Sequence, residues 1–265
     1  MSESGQYRNI LFERDGRVGL LTINRPAVHN AISLETIAEL SSLLGRLEQD
    51  DTLGAVILTG AGDKTFVSGG DLTDFDRLRT IEAAAQMSRD MQSMTARLNR
   101  LPTPVIGAIN GDCIGGGCEV ALACDMRIAS KRARFGFKQV AIGITPAWGA
   151  RNRLLGLVGR SQTLRLLLAG DVIDAEQALR IGIVDEVVEP AEVAVAARKL
   201  ADTIVSNAPL ATRAIKRAVD EGAQMSGAEA IEFEAQVFAR TWVSEDHWEA
   251  LAAMREKRAP RYRGR

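Results

Sequence analysis

Short apolar runs alternate with helical patterns through the first half of the chain, and this alternation restricts the folds open to it. The runs that we predict to be strands are Val18–Ile23, residues 55–59 and Val105–Ile109. Between the first two, apolar residues recur at helical spacing over residues 37–47, after Ser33, which can cap such a helix. A second helical pattern lies near residues 80–99. Together these elements predict a layered α/β architecture.

The later part of the chain is mostly helical. Before it, residues 119–124 predict a short apolar helix, and residues 127–129 and the segment around Phe135 predict short strands. Residues 183–188 predict a last strand. The expected helix N-caps are Ser161 and Asp174, and the expected C-caps are Gly170 and Gly182.

From Ala191 onward every pattern is helical, with helices predicted near residues 228–243 and then up to Arg255. One α/β core does not need so many helices. We therefore predict a core over residues 1–195 and a helical region over residues 196–265, which packs on that core or on a neighbouring subunit.

The composition is that of a soluble globular protein, with 46% apolar and 25% charged residues. The 33 basic and 34 acidic residues leave a net charge of -1, which favours neither nucleic acid nor an anionic membrane as a partner. No apolar run approaches the roughly 18 residues that a membrane span requires. The N-terminal segment also lacks a signal-peptide pattern, so we expect a cytoplasmic enzyme or binding domain.

The cysteines and histidines do not form a recognisable metal motif. Cys113, Cys118 and Cys124 lie in one Gly-rich stretch, at spacings that match neither a CxxC motif nor the usual zinc sites. His29 and His247 are far apart in the sequence. We expect reduced, buried thiols and no metal site.

Two Gly-rich turns follow predicted strands, at residues 66–71 and 110–119. Glycine lets the backbone approach a ligand closely, and a helix N-terminus offers free N–H groups. Two such turns that face each other would direct backbone donors at one oxygen, as in an oxyanion hole. Glycines often serve only to make tight turns, but Glu119, the last residue of the second segment, favours the catalytic interpretation.

Other nucleotide-binding and catalytic motifs match the sequence less well. The second turn is not G-x-G-x-x-G, neither turn is followed by a Walker lysine, and Ser68 lacks the leading glycine of a G-x-S-x-G elbow. The sequence therefore gives little support to a dinucleotide site, a P-loop or a serine hydrolase.

Several segments resemble the enoyl-CoA hydratase/isomerase (crotonase) superfamily. The similar segments, in chain order, are Asn24-Arg-Pro26, Asn30-Ala-Ile-Ser33, the turn at residues 66–72, Gly115-Gly-Gly-Cys-Glu119, Ala123-Cys-Asp125, Phe135-Gly136, Gly143, Pro146, Gly149, residues 178–184, and Glu256-Lys-Arg258 with Pro260 and the final Arg-Gly-Arg. They span nearly the whole chain. The resemblance implies a spiral of β-β-α units with a C-terminal helical region that assembles trimers, often paired into hexamers.

The resemblance also implies an acyl-CoA substrate, whose thioester oxygen lies between the backbone N–H groups of Gly70 and Gly116. Coenzyme A then enters as part of the substrate, with no separate cofactor. The residues that this resemblance places at the coenzyme A or acyl site are Val28, Ser68, Asp71, Leu72, Phe137, Ile142, Trp148, Met254 and Lys257. Lys257 could meet a phosphate as a point charge, or be one solvated residue of a basic tail.

The chain departs from the family at one catalytic position. Hydratases of this kind use two glutamates to place and activate a water molecule. Glu119 matches the first, whereas Gln139 stands at the position of the second. An amide can orient water but cannot carry a proton at neutral pH. Ala147 occupies the position where some isomerases and dehalogenases have an aspartate.

Several functions remain open at this point. An enoyl-CoA hydratase or isomerase of fatty acid metabolism, working through an enolate, is our leading hypothesis. An alkylmalonyl-CoA decarboxylase is the first alternative, because loss of carbon dioxide generates the enolate without a base. A non-catalytic acyl-CoA-binding or scaffold protein is the alternative from another class.

Overall fold

The computed structural model describes residues 7–265, which form two β-sheets with helices around them. The first sheet contains, in spatial order, β1 (Ile10–Asp15), β2 (Val18–Ile23), β3 (Ala55–Gly60), β5 (Val105–Ile109), β7 (Met126–Ser130) and β10 (Glu186–Val188). The second contains β4 (Thr65–Val67), β6 (Asp112–Ile114), β8 (Arg134–Gly136) and β9 (Val172–Asp174). Among the strand pairs within residues 7–265, only β1–β2 and β8–β9 are antiparallel.

The helices follow the strands in a repeating order. They are α1 (Leu34–Leu47), α2 (Leu72–Phe75), α3 (Ile81–Asn99), α4 (Gly116–Ala121), α5 (Ala150–Ala169), α6 (Ala175–Arg180), α7 (Val193–Val205), α8 (Pro209–Gly222), α9 (Gly227–Trp242) and α10 (Glu245–Glu256). Each of β3, β5 and β7 is followed by a short strand of the second sheet and then by helix. Because the short strands are neighbours in the second sheet, the turns that lead from them into the helices also lie side by side. The two Gly-rich segments form two of these turns.

The apolar core lies between the sheets and helices α1 and α3. On α1, the residues predicted from their spacing, Ile37, Leu40, Leu44 and Leu47, are all buried. Ser33 caps this helix, since its side chain accepts a hydrogen bond from Thr36 N–H at 3.1 Å. A smaller cluster on the other face of the first sheet packs Val193, Ala197 and Ala201 of α7 against the strands.

Some predicted boundaries were wrong. Helix α4 runs from Gly116 to Ala121, not over residues 119–124, and the last strand is limited to Glu186–Val188. Ser161 is not a cap, because it lies inside α5, after a kink at Gly159, whose φ is 72°. Asp174 caps α6 with a capping box, and Gly170 ends α5 in the left-handed region, as predicted.

The C-terminal helices bury little of their apolar surface within the chain. Helices α8 and α9 have no buried residue. The large apolar side chains exposed on α8–α10 and between them are Ile215, Val219, Ile231, Phe238, Trp242, Val243, Trp248 and Met254. An ion pair between the half-buried Lys216 and Asp125 joins α8 to the core. The predicted boundary between residues 195 and 196 falls within α7, which packs on the sheet. The division into a core and a helical region stays a prediction. The first six residues of the predicted core lie outside the described residues.

No helix within residues 7–265 has the length and apolar content needed to cross a membrane.

Candidate active site

The two Gly-rich turns meet beside helix α4. Ile32 N–H donates to Gly69 O at 2.8 Å, and Asp71 N–H donates to Ile32 O at 2.9 Å. In a parallel bridge of this kind the intervening residue, Gly70, directs its own N–H to the opposite side. Gly116 is the first residue of α4, where an N–H has no acceptor within the helix.

These two glycines leave a pair of backbone donors at one place. A Cβ at Gly69 would lie 3.2 Å from Gly116 N, so the turns are in close contact. Neither Gly70 N–H nor Gly116 N–H has an acceptor within residues 7–265. The Trp148 indole lies against both residues, since a Cβ would be 3.3 Å from it at Gly70 and 2.0 Å from it at Gly116. Two free donors side by side have the geometry expected of an oxyanion hole.

An ion pair fixes the first turn. Arg25 Nη2 donates to Asp71 Oδ2 at 2.8 Å, and Arg25 Nη1 donates to Ala31 O. Asp71 also caps α2 by accepting from Asp74 N–H. Burial alone would raise the pKa of Asp71, but the hydrogen bonds from Arg25 and Asp74 outweigh it and lower this pKa below its usual value. The turn is therefore held by a charge-assisted contact between segments distant in sequence.

Glu119 is the buried carboxylate of the site, with 1% of its surface exposed. It lies in the first turn of α4, one turn beyond Gly116. Its Oε1 accepts from Trp148 N–H at 2.7 Å and from Ala150 N–H at 3.1 Å, and its Oε2 accepts from Gln139 Nε2 at 2.9 Å. Burial raises the pKa of Glu119, and these hydrogen bonds oppose the rise. A raised pKa makes it easier for a carboxyl group to hold a proton and then return it, as a general acid and base must.

Gln139 contacts Glu119 directly, so the structure brings the two predicted catalytic positions together. Gln139 lies on a 3-10 helix over Lys138–Ile142 and is 6% exposed. Its Nε2 donates to Glu119, whereas its Oε1 is buried and has no hydrogen-bond partner in the described chain.

The other predicted site residues differ in their exposure. Trp148 and Phe137 are buried, at 5% and 1% exposure, and Phe137 belongs to the apolar core. Ser68 and Asp71 are half-buried on the turn. Val28, Leu72, Ile142, Met254 and Lys257 are exposed. Their roles toward coenzyme A or the acyl group stay predictions.

Sequence reasoning missed three contributors to the site. Arg25 belongs to the segment Asn24-Arg-Pro26, but nothing in the sequence predicts that it is the partner of Asp71. The backbone N–H groups that hold Glu119 leave no signal in side-chain identity. The third is Arg153, whose Nη1 donates to Trp148 O at 3.2 Å. Burial lowers the pKa of Arg153, and the negative charge of Glu119 opposes this effect.

Two surface clefts lie away from this site. One of about 580 Å³ is lined by residues of α10 and the C-terminal tail, and one of about 680 Å³ by the first sheet and α7. None of the predicted site residues lines either cleft. Within residues 7–265, no three His, Cys, Asp or Glu side chains are grouped so as to hold a metal ion.

Comparison with protein families identifies the chain. The family model described as enoyl-CoA hydratase/isomerase matches residues 13–265. The chain belongs to the enoyl-CoA hydratase/isomerase family. It is an enzyme of the crotonase superfamily, and the family supports an acyl-CoA substrate and a function of enoyl-CoA hydratase type.

Similar proteins match this family member over almost its full length. A short-chain-enoyl-CoA hydratase from Clostridium acetobutylicum is 42% identical over 96% of this chain and 97% of its own. A crotonyl-CoA hydratase from Syntrophomonas wolfei is 38% identical over 95% and 96%. The crystal structure of an enoyl-CoA hydratase from Bacillus anthracis superposes with a TM-score of 0.94 at 33% identity, covering 97% of this chain and all of that one. The predicted crotonase-like α/β fold with C-terminal helices is confirmed.

Proposed function

We propose that the chain catalyses hydration of a short 2-enoyl-CoA thioester. The observation that carries this proposal is the buried Glu119, which lies one helical turn beyond Gly116, whose free N–H group is beside the turn that carries Gly70. The names of two similar proteins, a short-chain-enoyl-CoA hydratase and a crotonyl-CoA hydratase, support the same reaction.

The proposed chemistry begins with the thioester oxygen between the two N–H groups. Addition to C3 of the enoyl group pushes negative charge onto that oxygen, and the two donors stabilise the resulting enolate. Removal of one comparable donor costs about 10² to 10³ in rate in other enzymes. Because both donors belong to the backbone, no side-chain substitution removes them cleanly.

Glu119 then supplies the proton transfers. Its carboxylate takes a proton from water while the water oxygen bonds to C3, and the electrons of the C2–C3 double bond move into the enolate. The enolate returns electrons to C2, which takes the proton from Glu119. One water molecule has then added across the double bond, and the carboxylate is regenerated.

The geometry gives decarboxylation less support. A malonyl-type substrate would bring a second carboxylate toward Glu119 and toward the unpartnered Gln139 Oε1. Both groups are hydrogen-bond acceptors, so they disfavour an ionised carboxylate.

We also propose an oligomeric state and a cellular location for the enzyme. The exposed apolar side chains on α8–α10 support assembly as a homotrimer, which two trimers could extend to a hexamer. Coenzyme A is taken as part of the substrate. The three free, buried cysteines support a reducing, cytoplasmic setting.

Product analysis tests the reaction. The chain is incubated separately with crotonyl-CoA and with ethylmalonyl-CoA, and the products are identified by mass spectrometry. We expect crotonyl-CoA to gain one water molecule and ethylmalonyl-CoA to remain unchanged. Loss of carbon dioxide without hydration would favour the decarboxylase, and acyl-CoA binding without turnover of either would favour the scaffold.

A further inference from the structure

Gln139 leaves an acceptor in the site that no group in the described chain satisfies. Its Nε2 donates to Glu119 Oε2 at 2.9 Å, and its buried Oε1 has no partner within residues 7–265. Native proteins rarely leave a buried acceptor unpaired. The reversed amide would place its oxygen against an oxygen of Glu119, with no hydrogen between them while Glu119 is ionised. The unpaired atom is therefore the oxygen, and it requires a donor from outside residues 7–265.

Glu119 offers a second acceptor position close by. Its Oε1 accepts from the N–H groups of Trp148 and Ala150, and its Oε2 accepts from Gln139 Nε2. A carboxylate oxygen has two lone pairs, so Oε2 can accept one more hydrogen. Because Oε1 and Nε2 of Gln139 share one carbon atom, the two open acceptor positions are neighbours. A molecule with two O–H hydrogens, such as water, can satisfy both.

We propose that Gln139 orients the reacting water through its Oε1, and that Glu119 is the only proton carrier of the site. This inference rests on the proposed hydration. One hydrogen of the water bonds to Gln139 Oε1 and the other to Glu119 Oε2, which leaves the water oxygen free to attack C3. The O–H bond toward Glu119 breaks as the O–C3 bond forms. The other hydrogen remains on the oxygen as part of the 3-hydroxyl group, and the proton on Glu119 moves to C2.

If Glu119 is the only proton carrier, two reactions of the site can be measured separately: exchange of a C2 hydrogen and hydration. Exchange of a C2 hydrogen in a saturated acyl-CoA needs the oxyanion hole and Glu119 but no oriented water. Hydration needs all three. Loss of Gln139 should therefore impair hydration more than it impairs exchange.

The first test uses Gln139→Met, which keeps the length of the side chain and removes its hydrogen bonds. Hydration of crotonyl-CoA and deuterium exchange at C2 of butyryl-CoA in D2O are measured on the full chain. We expect kcat for hydration to fall about 10²-fold, the usual effect of a misplaced reactant. The ratio of exchange to hydration should rise at least ~10-fold, since the intact Glu119 still transfers protons.

The matched control is Val140→Ala, at a residue that is 41% exposed on the same 3-10 helix. It should leave the ratio of exchange to hydration unchanged. An unaltered kcat in Gln139→Met, or an equal fall in hydration and exchange, would overturn the inference. A wild type that neither hydrates nor exchanges would instead overturn the proposed function, and the inference with it.

The second test is the pH profile of kcat/KM in wild type and Gln139→Glu. The other titratable groups near Glu119 are Arg153 on α5 and Cys118 on α4, and both are present in the two proteins. In the wild type, activity should fall as the pH drops through the raised pKa of Glu119, because the base must be ionised. Two adjacent carboxylates share a proton, so in the variant this acid limb should move upward by about one pH unit or more. Superimposable profiles would contradict the contact between the two side chains.

Discussion

At the scale of single residues, the ion pair between Arg25 and Asp71 holds the turn that carries Gly70. The two side chains are only 18% and 16% exposed, and they lie 2.8 Å apart. We expect Arg25→Met to lower the free energy of unfolding by about 2 kcal/mol at pH 7, the usual contribution of a hydrogen bond to a charged group. Urea unfolding measures this loss. The KM for acyl-CoA should rise as well, because the turn loosens.

The pH dependence of that loss identifies its cause. Arg25 and Asp74 lower the pKa of Asp71 in the folded state, so their contribution is present above the unfolded pKa of about 3.9. It is lost as the pH falls through the lower, folded pKa. The difference between wild type and Arg25→Met should therefore shrink in acid. The control, Arg79→Met, breaks an ion pair exposed by 73% and 70% and should cost less than about 1 kcal/mol; an equal loss in both variants would contradict the account.

Much of the candidate site could be predicted at this scale, but not its contacts. Glu119, Gln139 and the glycines are marked by residue type and spacing in continuous segments. The contact of Arg25 with Asp71 joins residues 46 positions apart, and no local pattern encodes it. The backbone donors to Glu119 come from Trp148 and Ala150, whose side chains carry no trace of that role.

At the scale of elements, helix α4 depends on glycines where the backbone is crowded. A Cβ at Gly116 would lie 2.0 Å from the Trp148 ring. Gly116→Ala should therefore displace the indole or the turn and lower kcat/KM about 10²-fold or more. Overpacking should also cost about 1 to 3 kcal/mol of stability. Steady-state kinetics and urea unfolding measure the two effects.

Gly156→Ala is the matched control for that substitution. Gly156 lies in α5, is exposed, and a Cβ there would have no atom within 4 Å. Alanine is a better helix former than glycine, so this variant should be more stable by about 0.5 to 1 kcal/mol, with unaltered kinetics. Equal behaviour of the two variants would show that crowding at Gly116 does not matter.

The sequence predicted best those elements that are marked by the residue pattern of one continuous segment. Strands β2 and β5 match their predicted bounds, because both are continuous apolar runs. Helix α4 begins three residues before its predicted start, because consecutive glycines are poor helix formers and do not indicate a helix. In the fold, a Cβ at Gly117 would lie 1.8 Å from Val67 O, so close packing requires glycine there and overrides propensity. The helix predicted to begin at Ser161 depends on a kink at Gly159 that the sequence did not indicate.

At the scale of the whole molecule, the C-terminal helices present apolar side chains that the chain itself does not cover. We expect the protein to sediment with the mass of three chains, or of six if trimers pair. Ile231→Glu, at a residue of α9 that is 71% exposed, should shift the population toward monomer because it buries a charge at the interface. Analytical ultracentrifugation measures the distribution.

Ile81→Glu is the control for this substitution, since Ile81 is 84% exposed but lies on α3, outside the C-terminal helices. It should leave the assembly unchanged. A wild type that sediments as a monomer would contradict the proposed trimer. The sequence predicted more helices in this region than one core needs. It could not predict which surface these helices cover in an assembly, because that surface belongs to another subunit.

In the proposed reaction Glu119, on the same helix as the Gly116 donor, carries the proton transfers of enoyl-CoA hydration. The most direct measurement is kcat for crotonyl-CoA hydration by the wild type and by Glu119→Gln, at saturating substrate. We predict that the wild type turns over at an ordinary enzyme rate of about 1 to 10³ per second. Glu119→Gln should be slower by about 10² to 10⁴-fold, with acyl-CoA binding retained. A Glu119→Gln variant that hydrates crotonyl-CoA as fast as the wild type would contradict the account.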